Sequence, residues 1–166
     1  MKGTHGPMTS ANADPGDRGN TIMGHPKGLF VLFFAEMWER FSYYGMRAIL
    51  ILYLTKYHLF GVNKASMIYG AYAGLVYMMP IVGGYLADRY LGSRKAVTYG
   101  AILLVLGHGL MAFHGPAAYM DGENIIRDDF FINVFFLALA LIIGGVGFLK
   151  ANISRVVGAL YGPNDP

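Results

Sequence analysis

The sequence predicts an all-α integral membrane protein, and three observations support this class. First, 55% of the 166 residues are hydrophobic and only 14% are charged, with a mean hydropathy of +0.42. That apolar excess is too high for an ordinary soluble domain of this size. Second, four long apolar segments follow one another along the chain. Third, positive charges gather in alternate connections between those segments, as they do in helical membrane proteins.

Composition also excludes several other classes of protein. The sequence contains no cysteine, which excludes disulfide bonds and thiolate metal sites. The formal net charge is +3 without a dense stripe of Lys and Arg, so we expect no nucleic-acid partner. We expect neither an enzyme nor a metal site, because the sequence shows no nucleophile–base set, no metal-ligand spacing and no phosphate-binding loop.

The chain divides into a tail and a transmembrane region. Residues 1–26 are rich in Gly, Asn, Asp, Pro and Thr and lack the apolar core of a signal peptide, so we expect a disordered tail. Residues 27–166 contain the apolar segments, which we predict to be helices at about residues 28–57, 64–87, 95–114 and 129–160. Each is long enough to cross a hydrocarbon core of about 30 Å, which requires about 20 helical residues.

The charges of the connections predict the orientation in the membrane. The connection between the second and third helices contains Arg89, Arg94 and Lys95, and the chain up to the start of the first helix adds Lys2, Arg18 and Lys27. The connection between the third and fourth helices carries four acids and one arginine. The positive-inside rule therefore places the N-terminus in the cytoplasm and predicts a multi-pass protein of the plasma or inner membrane.

The first helix carries charges inside an otherwise apolar stretch. Six polar side chains follow the spacing i, i+3, i+4, i+7, i+8 and i+11, namely Glu36, Glu39, Arg40, Tyr43, Tyr44 and Arg47. This spacing places them on one stripe of a helix. A charge at bilayer depth costs at least about 2.5–3.5 kcal/mol, so we expect the stripe to face a bundle interior or a water-filled cavity. The alternative is a buried ion-pair cluster that only holds the helices in register.

The fourth helix supplies a partner for this stripe. Lys150 lies deep in an apolar run, about 15 Å from the cytoplasmic end of its helix, which matches the depth of the glutamates on the first helix. We therefore expect Lys150 to pair with a glutamate across the bundle. The alternative is that the side chain of Lys150 extends along the helix and places its ammonium group in water at the helix end. Nearby, Gly144, Gly145 and Gly147 are expected to allow a close approach of helices.

The second and third helices offer weaker candidates. Tyr77 on the second helix lies among small residues and would face the same cavity, or else pack against a neighbouring helix. His108 and His114 on the third helix are weaker candidates for proton carriers. In the loop between these helices, Asp88 ends one helix and Gly92 turns the chain.

The same loop is expected to act as a cytoplasmic charge latch. We expect its charges to break and re-form contacts as the helices rock, and its residues are Asp88, Arg89, Gly92, Arg94 and Lys95. The alternative is that these residues serve only topology and helix capping.

Three motifs give the sequence a resemblance to the proton-dependent oligopeptide transporter family of the major facilitator superfamily. The stretch "EMWERFSYYG" resembles the family motif E-x-x-E-R-F-x-Y-Y-G, and "GFLKANIS" resembles F/L-K-x-N-x-S. The stretch "GGYLADRYLGSRK" resembles the loop motif of the whole superfamily, G-x-L-A-D-R-x-x-G-x-[RK]-[RK]. The three motifs occur in the family's order and cover nearly all of residues 27–166.

This resemblance implies a major facilitator fold and a rocker-switch symporter of di- and tripeptides. It assigns proton coupling to Glu36, Glu39 and Arg40, together with an ion pair to Lys150. It assigns the wall of the substrate cavity to Tyr43, Tyr44, Arg47, Tyr77 and Lys150, the two cations lying near the peptide carboxylate. The expected partners are small peptides and the lipid bilayer, and protons are the coupling ion without any other cofactor.

Two departures from the family pattern affect these expectations. Animal members carry a histidine on the second helix where this chain has Gly70, so coupling here would use the carboxylates. Members of the family have twelve core helices, whereas four are recognisable here. We therefore expect a fragment containing the first four transmembrane helices, whose partner is the missing C-terminal half of the same protein.

Two other functions remain open on the sequence alone. In the first, the chain is part of a family member that carries another anion-bearing substrate, such as nitrate or an amino acid. In the second, the chain is a non-transporting membrane subunit or sensor. Its charges would then be paired within a self-sufficient four-helix fold.

Overall fold

The computed structural model describes residues 21–23 and 25–160, which form four helices and two short strand pairs. The predicted disordered tail, residues 1–26, lies outside the described residues except at its end. There, β1 (Thr21–Ile22) pairs antiparallel with β2 (His25–Pro26). The described end of the tail therefore has a paired backbone directly ahead of the first helix.

The four helices lie within a few residues of the predicted segments. Helix α1 spans Lys27–Leu52 and continues as a π-helical turn to Tyr57. Helix α2 spans Val62–Leu86 and continues as a π-helical turn to Leu91. Helices α3 and α4 span Ser93–Ala112 and Asp129–Gly158. The predicted all-α class is therefore confirmed.

Three of these helices combine the length and the apolar composition that a membrane span requires. They are Val62–Leu91, Ser93–Ala112 and Asp129–Gly158. Helix α1 has 26 residues, which is also sufficient length, but its interior contains the charged stripe predicted from the sequence. A span of this composition requires that the charges face protein or water rather than lipid tails.

Glycines set the distance between α4 and its neighbours. A Cβ built on Gly83 would lie 2.4 Å from the Gly147 carbonyl oxygen, and one on Gly100 would lie 2.9 Å from the Gly145 oxygen. Conversely, Cβ atoms on Gly145 and Gly147 would lie 2.9 Å from the carbonyl oxygens of Gly100 and Met79. We call Gly83, Gly100, Gly145 and Gly147 the glycine seam. It confirms the predicted close approach at Gly145 and Gly147, whereas Gly144 has only an ordinary contact at 3.7 Å.

The apolar core lies between α1, α2 and α4. Its fully buried side chains include Leu50 and Leu54 from the end of α1, Val76 from α2, and Ile142 and Val146 from α4. Helix α4 packs along α2 and α3 over much of its length, whereas α1 makes fewer backbone contacts with the other helices. This arrangement leaves α1 less closely packed than the rest of the bundle.

The connection between α3 and α4 contains a β-hairpin, which the sequence analysis did not predict. Strand β3 (Tyr119–Asp121) pairs with β4 (Asn124–Ile126), and Gly122 turns the chain with φ at 62°. A two-residue hairpin turn needs positive φ at this position, which Gly adopts at little cost. The hairpin is the main non-helical element between the described helices.

The hairpin is tied to the connection between α1 and α2. Arg127 donates from Nε to the His58 carbonyl at 2.6 Å and from Nη2 to the Leu59 carbonyl at 2.9 Å. The Tyr57 hydroxyl donates to the Gly115 carbonyl, and the Ala118 amide donates to the Tyr57 carbonyl. The two connections at this end of the bundle are therefore joined by side-chain and backbone hydrogen bonds.

Candidate functional site

The charged stripe of α1 contains one ion pair and a second acid that lies outside that pair. Arg40 contacts Glu36 one helical turn away, with Nη2 at 2.6 Å and Nε at 3.2 Å from the same carboxylate oxygen. Glu39 is 8% exposed, and its Oε1 atom has no hydrogen-bond partner among residues 21–23 and 25–160. A buried carboxylate oxygen without a hydrogen-bond partner costs free energy.

Lys150 reaches the stripe through tyrosine rings. Its ammonium nitrogen lies 5.9 Å from the ring centroid of Tyr43 and 6.0 Å from that of Tyr77. These separations fall within the range of a cation–π interaction. Tyr43 and Tyr77 were both predicted as cavity residues, and the structure brings them together at Lys150.

The expected ion pair between Lys150 and a glutamate is not formed. Within the part of the chain that the structure describes, the ion pairs closer than 4 Å are Arg40–Glu36 and Arg155–Asp88. Glu36 is already occupied by Arg40, while Glu39 and Lys150 interact electrostatically at longer range. The direct contact predicted from the matching depth of the two groups is therefore absent.

Two buried tyrosines form the centre of the site. Tyr43 and Tyr72 are 4% and 2% exposed, their ring centroids lie 6.3 Å apart, and neither hydroxyl has a hydrogen-bond partner among the described residues. Tyr44 lies beside Tyr43 but is largely exposed. Buried tyrosine hydroxyls usually have a hydrogen-bond partner, so these two positions are unusual for a protein interior.

Arg47 is held by a tyrosine of the neighbouring helix. Its Nε donates to the Tyr69 hydroxyl at 2.5 Å, and its guanidinium carbon lies 5.6 Å from the Tyr69 ring centroid. Sequence reasoning missed Tyr69 and Tyr72 as site residues. Their i, i+3 spacing places both on one face of α2, and this signal was present in the sequence.

One residue of the predicted cytoplasmic latch pairs with a residue outside the loop. Asp88 pairs with Arg155, near the end of α4, and sequence reasoning did not select Arg155. Arg89 donates to the Tyr85 hydroxyl at 3.3 Å. Gly92 has φ at 75°, which a glycine adopts readily between the end of α2 and the start of α3.

The remaining latch residues lie on the surface. Arg94 and Lys95 begin α3, are exposed, and make no ion pair closer than 4 Å with any residue in the described ranges. The structure therefore brings Asp88 into an interhelical contact and leaves these two cations at the helix terminus. Their contribution to a latch stays a prediction.

A cavity of about 750 Å³ opens beside the stripe, between α1, α3 and α4. Glu39, Ser42 and Tyr43 from α1 and His108 from α3 are its polar lining residues, and the rest of its wall is apolar. No group of three or more His, Asp or Glu side chains that would hold a metal ion occurs among the residues the structure describes.

These features define a multi-pass helical membrane protein with an ionisable site inside the bundle. The family model described as the POT family matches residues 94–166. Over 150 residues the chain is 45% identical to the uncharacterized transporter YclF of Bacillus subtilis, and the match covers 87% of this chain and 27% of that protein. The chain belongs to the POT family, whose fold is that of the major facilitator superfamily.

The names of two further relatives state what they transport. The chain is 43% identical over 154 residues to the di-/tripeptide transporter of Lactococcus lactis subsp. cremoris, covering 87% of this chain and 28% of that protein. A crystal structure of a mutant of the peptide transporter POT in complex with alafosfalin superposes with a TM-score of 0.73 at 43% identity, covering 87% of this chain and 28% of that one. The chain thus spans a little over a quarter of the length of the relatives it matches.

Proposed function

We propose that this chain forms the first helices of a symporter that carries di- and tripeptides together with protons across the cell membrane. The observation that carries the proposal is the stripe of α1, where an ion pair, a buried unpaired glutamate and a tyrosine-held arginine lie on one helix face. Relatives that are 43% identical and named for peptide transport support the choice of substrate.

Proton coupling would operate through the two glutamates. Protonation of Glu39 removes the charge from a buried carboxylate and so ends its attraction to Lys150. Protonation of Glu36 breaks the ion pair with Arg40. In either case a cation is released to attract another anion, and the helices are freed to rock between two arrangements.

Substrate binding would use Lys150, which protonation of Glu39 releases, together with Arg47 and the tyrosines. Arg47 and Lys150 are the cations beside Tyr43, and both suit the carboxylate of a peptide. The hydrogen bond from Arg47 to Tyr69 uses Nε, so it does not consume the terminal nitrogens of the guanidinium. Tyrosine hydroxyls would meet the peptide backbone and tolerate varied side chains.

Orientation is part of the proposal. With the N-terminus in the cytoplasm, the β3–β4 hairpin lies outside the cell and the Asp88–Arg155 pair lies inside. The chain has no cysteine, so in the full-length protein, with any cysteine outside residues 1–166 replaced by serine, single cysteines introduced by Glu123→Cys and Ser93→Cys would report their own location. We expect a membrane-impermeant thiol reagent added to whole cells to label the first and not the second. The reverse pattern would overturn the orientation.

Uptake of labelled dialanine into proteoliposomes tests the transport proposal. The protein would be expressed from its complete gene, with an inward proton gradient imposed. We expect accumulation that an uncoupler abolishes and that excess unlabelled dipeptides compete away. Absence of accumulation, or competition by nitrate or free amino acids instead of dipeptides, would contradict the peptide assignment.

Substitutions then test the coupling residues. Glu39→Gln and Glu36→Gln should each abolish proton-driven accumulation while sparing exchange of peptide across the membrane. Glu123→Gln, which makes the same change in the exposed hairpin, is the matched control and should transport normally. Unchanged accumulation in both α1 variants would show that neither glutamate is needed for proton coupling.

A further inference from the structure

A cavity of about 410 Å³ opens at the hairpin end of the bundle, away from the charged stripe of α1. The connection before α2, the end of the hairpin and the first turns of α2 and α4 all contribute to its wall. Its volume falls within the range of about 300–1,000 Å³ that is typical of small-molecule sites. We call this space the hairpin cavity.

Two cations of the hairpin cavity lie against one aromatic ring. The Lys64 ammonium nitrogen lies 4.9 Å from the ring centroid of Phe60, and the Arg127 guanidinium carbon lies 4.6 Å from the same centroid. Phe60 is buried, so its position is fixed by packing. No carboxylate of the described chain lies within 4 Å of either cation. Like charges gathered in this way repel one another, and an anion bound to both would relieve the repulsion.

Both cations keep donors for a ligand. Lys64 is exposed at the start of α2. Arg127 donates from Nε and Nη2 to the backbone carbonyls of His58 and Leu59. Its Nη1 makes no hydrogen bond within the described ranges and is not one of their buried polar atoms, so this nitrogen remains accessible. A guanidinium and an ammonium with accessible N–H groups are well suited to a phosphate group.

The rest of the wall combines one acid with apolar side chains. Asp129 begins α4, is exposed, and forms no ion pair closer than 4 Å with any residue the structure describes. The apolar part of the wall consists of Ile125, Ile126, Ile132 and Phe136. A ligand that carries a negative group, a positive group and an apolar part would therefore match the hairpin cavity.

The position of the cavity favours a lipid over a peptide as that ligand. The spans Val62–Leu91 and Asp129–Gly158 have 30 residues each, more than the about 20 that cross the hydrocarbon core, so their first turns reach the level of the lipid headgroups. Met67 and Leu75 follow Lys64 on the same face of α2, and both are exposed. Acyl chains would cover this apolar surface, whereas a dipeptide would leave it bare.

We propose that the hairpin cavity binds the headgroup of a phospholipid with a phosphodiester and a primary ammonium, which is the chemistry of phosphatidylethanolamine. Lys64 and Nη1 of Arg127 donate to the phosphate, and the Asp129 carboxylate accepts from the ammonium. The acyl chains lie along the exposed apolar surface of α2. This site is separate from the site of the α1 stripe, and it depends neither on the transported substrate nor on which side of the membrane the hairpin faces.

Native mass spectrometry of the purified full-length protein tests the site, with phosphatidylethanolamine, phosphatidylcholine and phosphatidylglycerol of identical acyl chains as probes. Lys64→Gln should raise the dissociation constant of the first phosphatidylethanolamine at least about fivefold, the contribution of one cation close to lipid phosphates. Lys56→Gln, at an exposed lysine of the same end outside the cavity wall, is the control and should not.

The acid provides a test of headgroup specificity. Asp129→Asn should weaken phosphatidylethanolamine by a similar factor, but it should leave phosphatidylglycerol unchanged or bound more tightly, because that lipid has no ammonium for the carboxylate to contact. Asp121→Asn, in the exposed part of the hairpin, should change neither lipid. The unmodified protein should prefer phosphatidylethanolamine to phosphatidylcholine, whose quaternary ammonium has no N–H to donate.

Three results would overturn the proposal. The first is an equal dissociation constant for phosphatidylethanolamine in Lys64→Gln, Asp129→Asn and the unmodified protein. The second is displacement of the lipid by an equal concentration of inorganic phosphate or of glycerophosphoethanolamine, which would make the cavity a site for soluble phosphates. The third is displacement by dialanine, which would make it a peptide site. Arg127 stays unchanged in these tests, because its bonds to backbone carbonyls join the two connections.

Discussion

The Arg47 guanidinium donates from Nε to the Tyr69 hydroxyl at 2.5 Å and lies over the same ring, which fixes a cation of α1 against α2. A hydrogen bond with a charged partner is worth more than one between neutral groups. The contact therefore restricts the position of Arg47 before any ligand arrives. Pre-positioned groups bind more tightly, because less ordering is required on binding.

Removal of the Tyr69 hydroxyl should weaken peptide binding. We expect Tyr69→Phe to raise the KM for dialanine about tenfold with a smaller change in kcat, since Arg47 loses a partner worth about 1.5–3 kcal/mol. Tyr99→Phe, on the exposed face of α3, is the control and should not change KM. An unchanged KM in Tyr69→Phe would mean that Arg47 is positioned by other contacts.

Enlargement of a residue in the glycine seam should destabilise the bundle. Gly83→Ala places a methyl group 2.4 Å from the Gly147 carbonyl oxygen, so α2 and α4 must separate. Overpacking of this kind costs about 1–3 kcal/mol, which thermal unfolding in detergent would detect. Gly74→Ala, on the same helix with nothing within 4 Å, should be neutral or slightly stabilising. Equal unfolding temperatures would contradict the close approach.

The ion pair between Asp88 and Arg155 should matter little to stability. Both side chains are half exposed, at 50% and 54%, and exposed pairs contribute about 0–1 kcal/mol. A double-mutant cycle with Asp88→Asn and Arg155→Gln should therefore give a coupling energy below about 1 kcal/mol in thermal unfolding. If the pair is part of a latch, its loss should change the transport rate, and exchange of the two charges should restore it.

Acid should loosen the connection between α1 and α2. Burial lowers the pKa of His58, and the nearby Arg127 guanidinium lowers it further. Because the unfolded chain binds a proton more readily, stability is complete above the ordinary histidine pKa of about 6.5 and falls as the pH drops below it. Unfolding followed from pH 8 to 5 should show this loss, and His58→Gln should reduce it. His114→Gln, at an exposed histidine, should not.

The helices were predictable because their cause is local. Apolar runs of sufficient length form helices in a membrane whatever their neighbours, and the observed ends fall within a few residues of the predicted ones. The charged stripe of α1 was equally visible, since i, i+3 and i+4 spacing fixes a helix face. Gly145 and Gly147 lie at the close contacts that their spacing suggested.

Contacts between helices were less predictable, because they depend on rotation and distance that spacing does not specify. Equal depth suggested that Lys150 would touch a glutamate, but its ammonium lies near the rings of Tyr43 and Tyr77 instead. Asp88 meets Arg155, which lies 67 positions further along the chain. The hairpin was missed because its two-residue turn of Gly122 and Glu123 lies between strands of only three residues each.

The glycine seam limits which substitutions the gene can tolerate, in addition to setting the distance between helices. Glycine is the smallest residue, so every missense change at Gly83, Gly100, Gly145 or Gly147 adds a Cβ that would lie less than 3 Å from a neighbouring atom. A core leucine or valine can be replaced by a larger or a smaller residue, and neighbouring side chains can compensate for the change in volume. At these four glycines, every replacement is larger. When a saturation-mutagenesis library of this gene is selected for transport, nearly all non-glycine variants at these codons should therefore disappear, whichever substrate is used for selection.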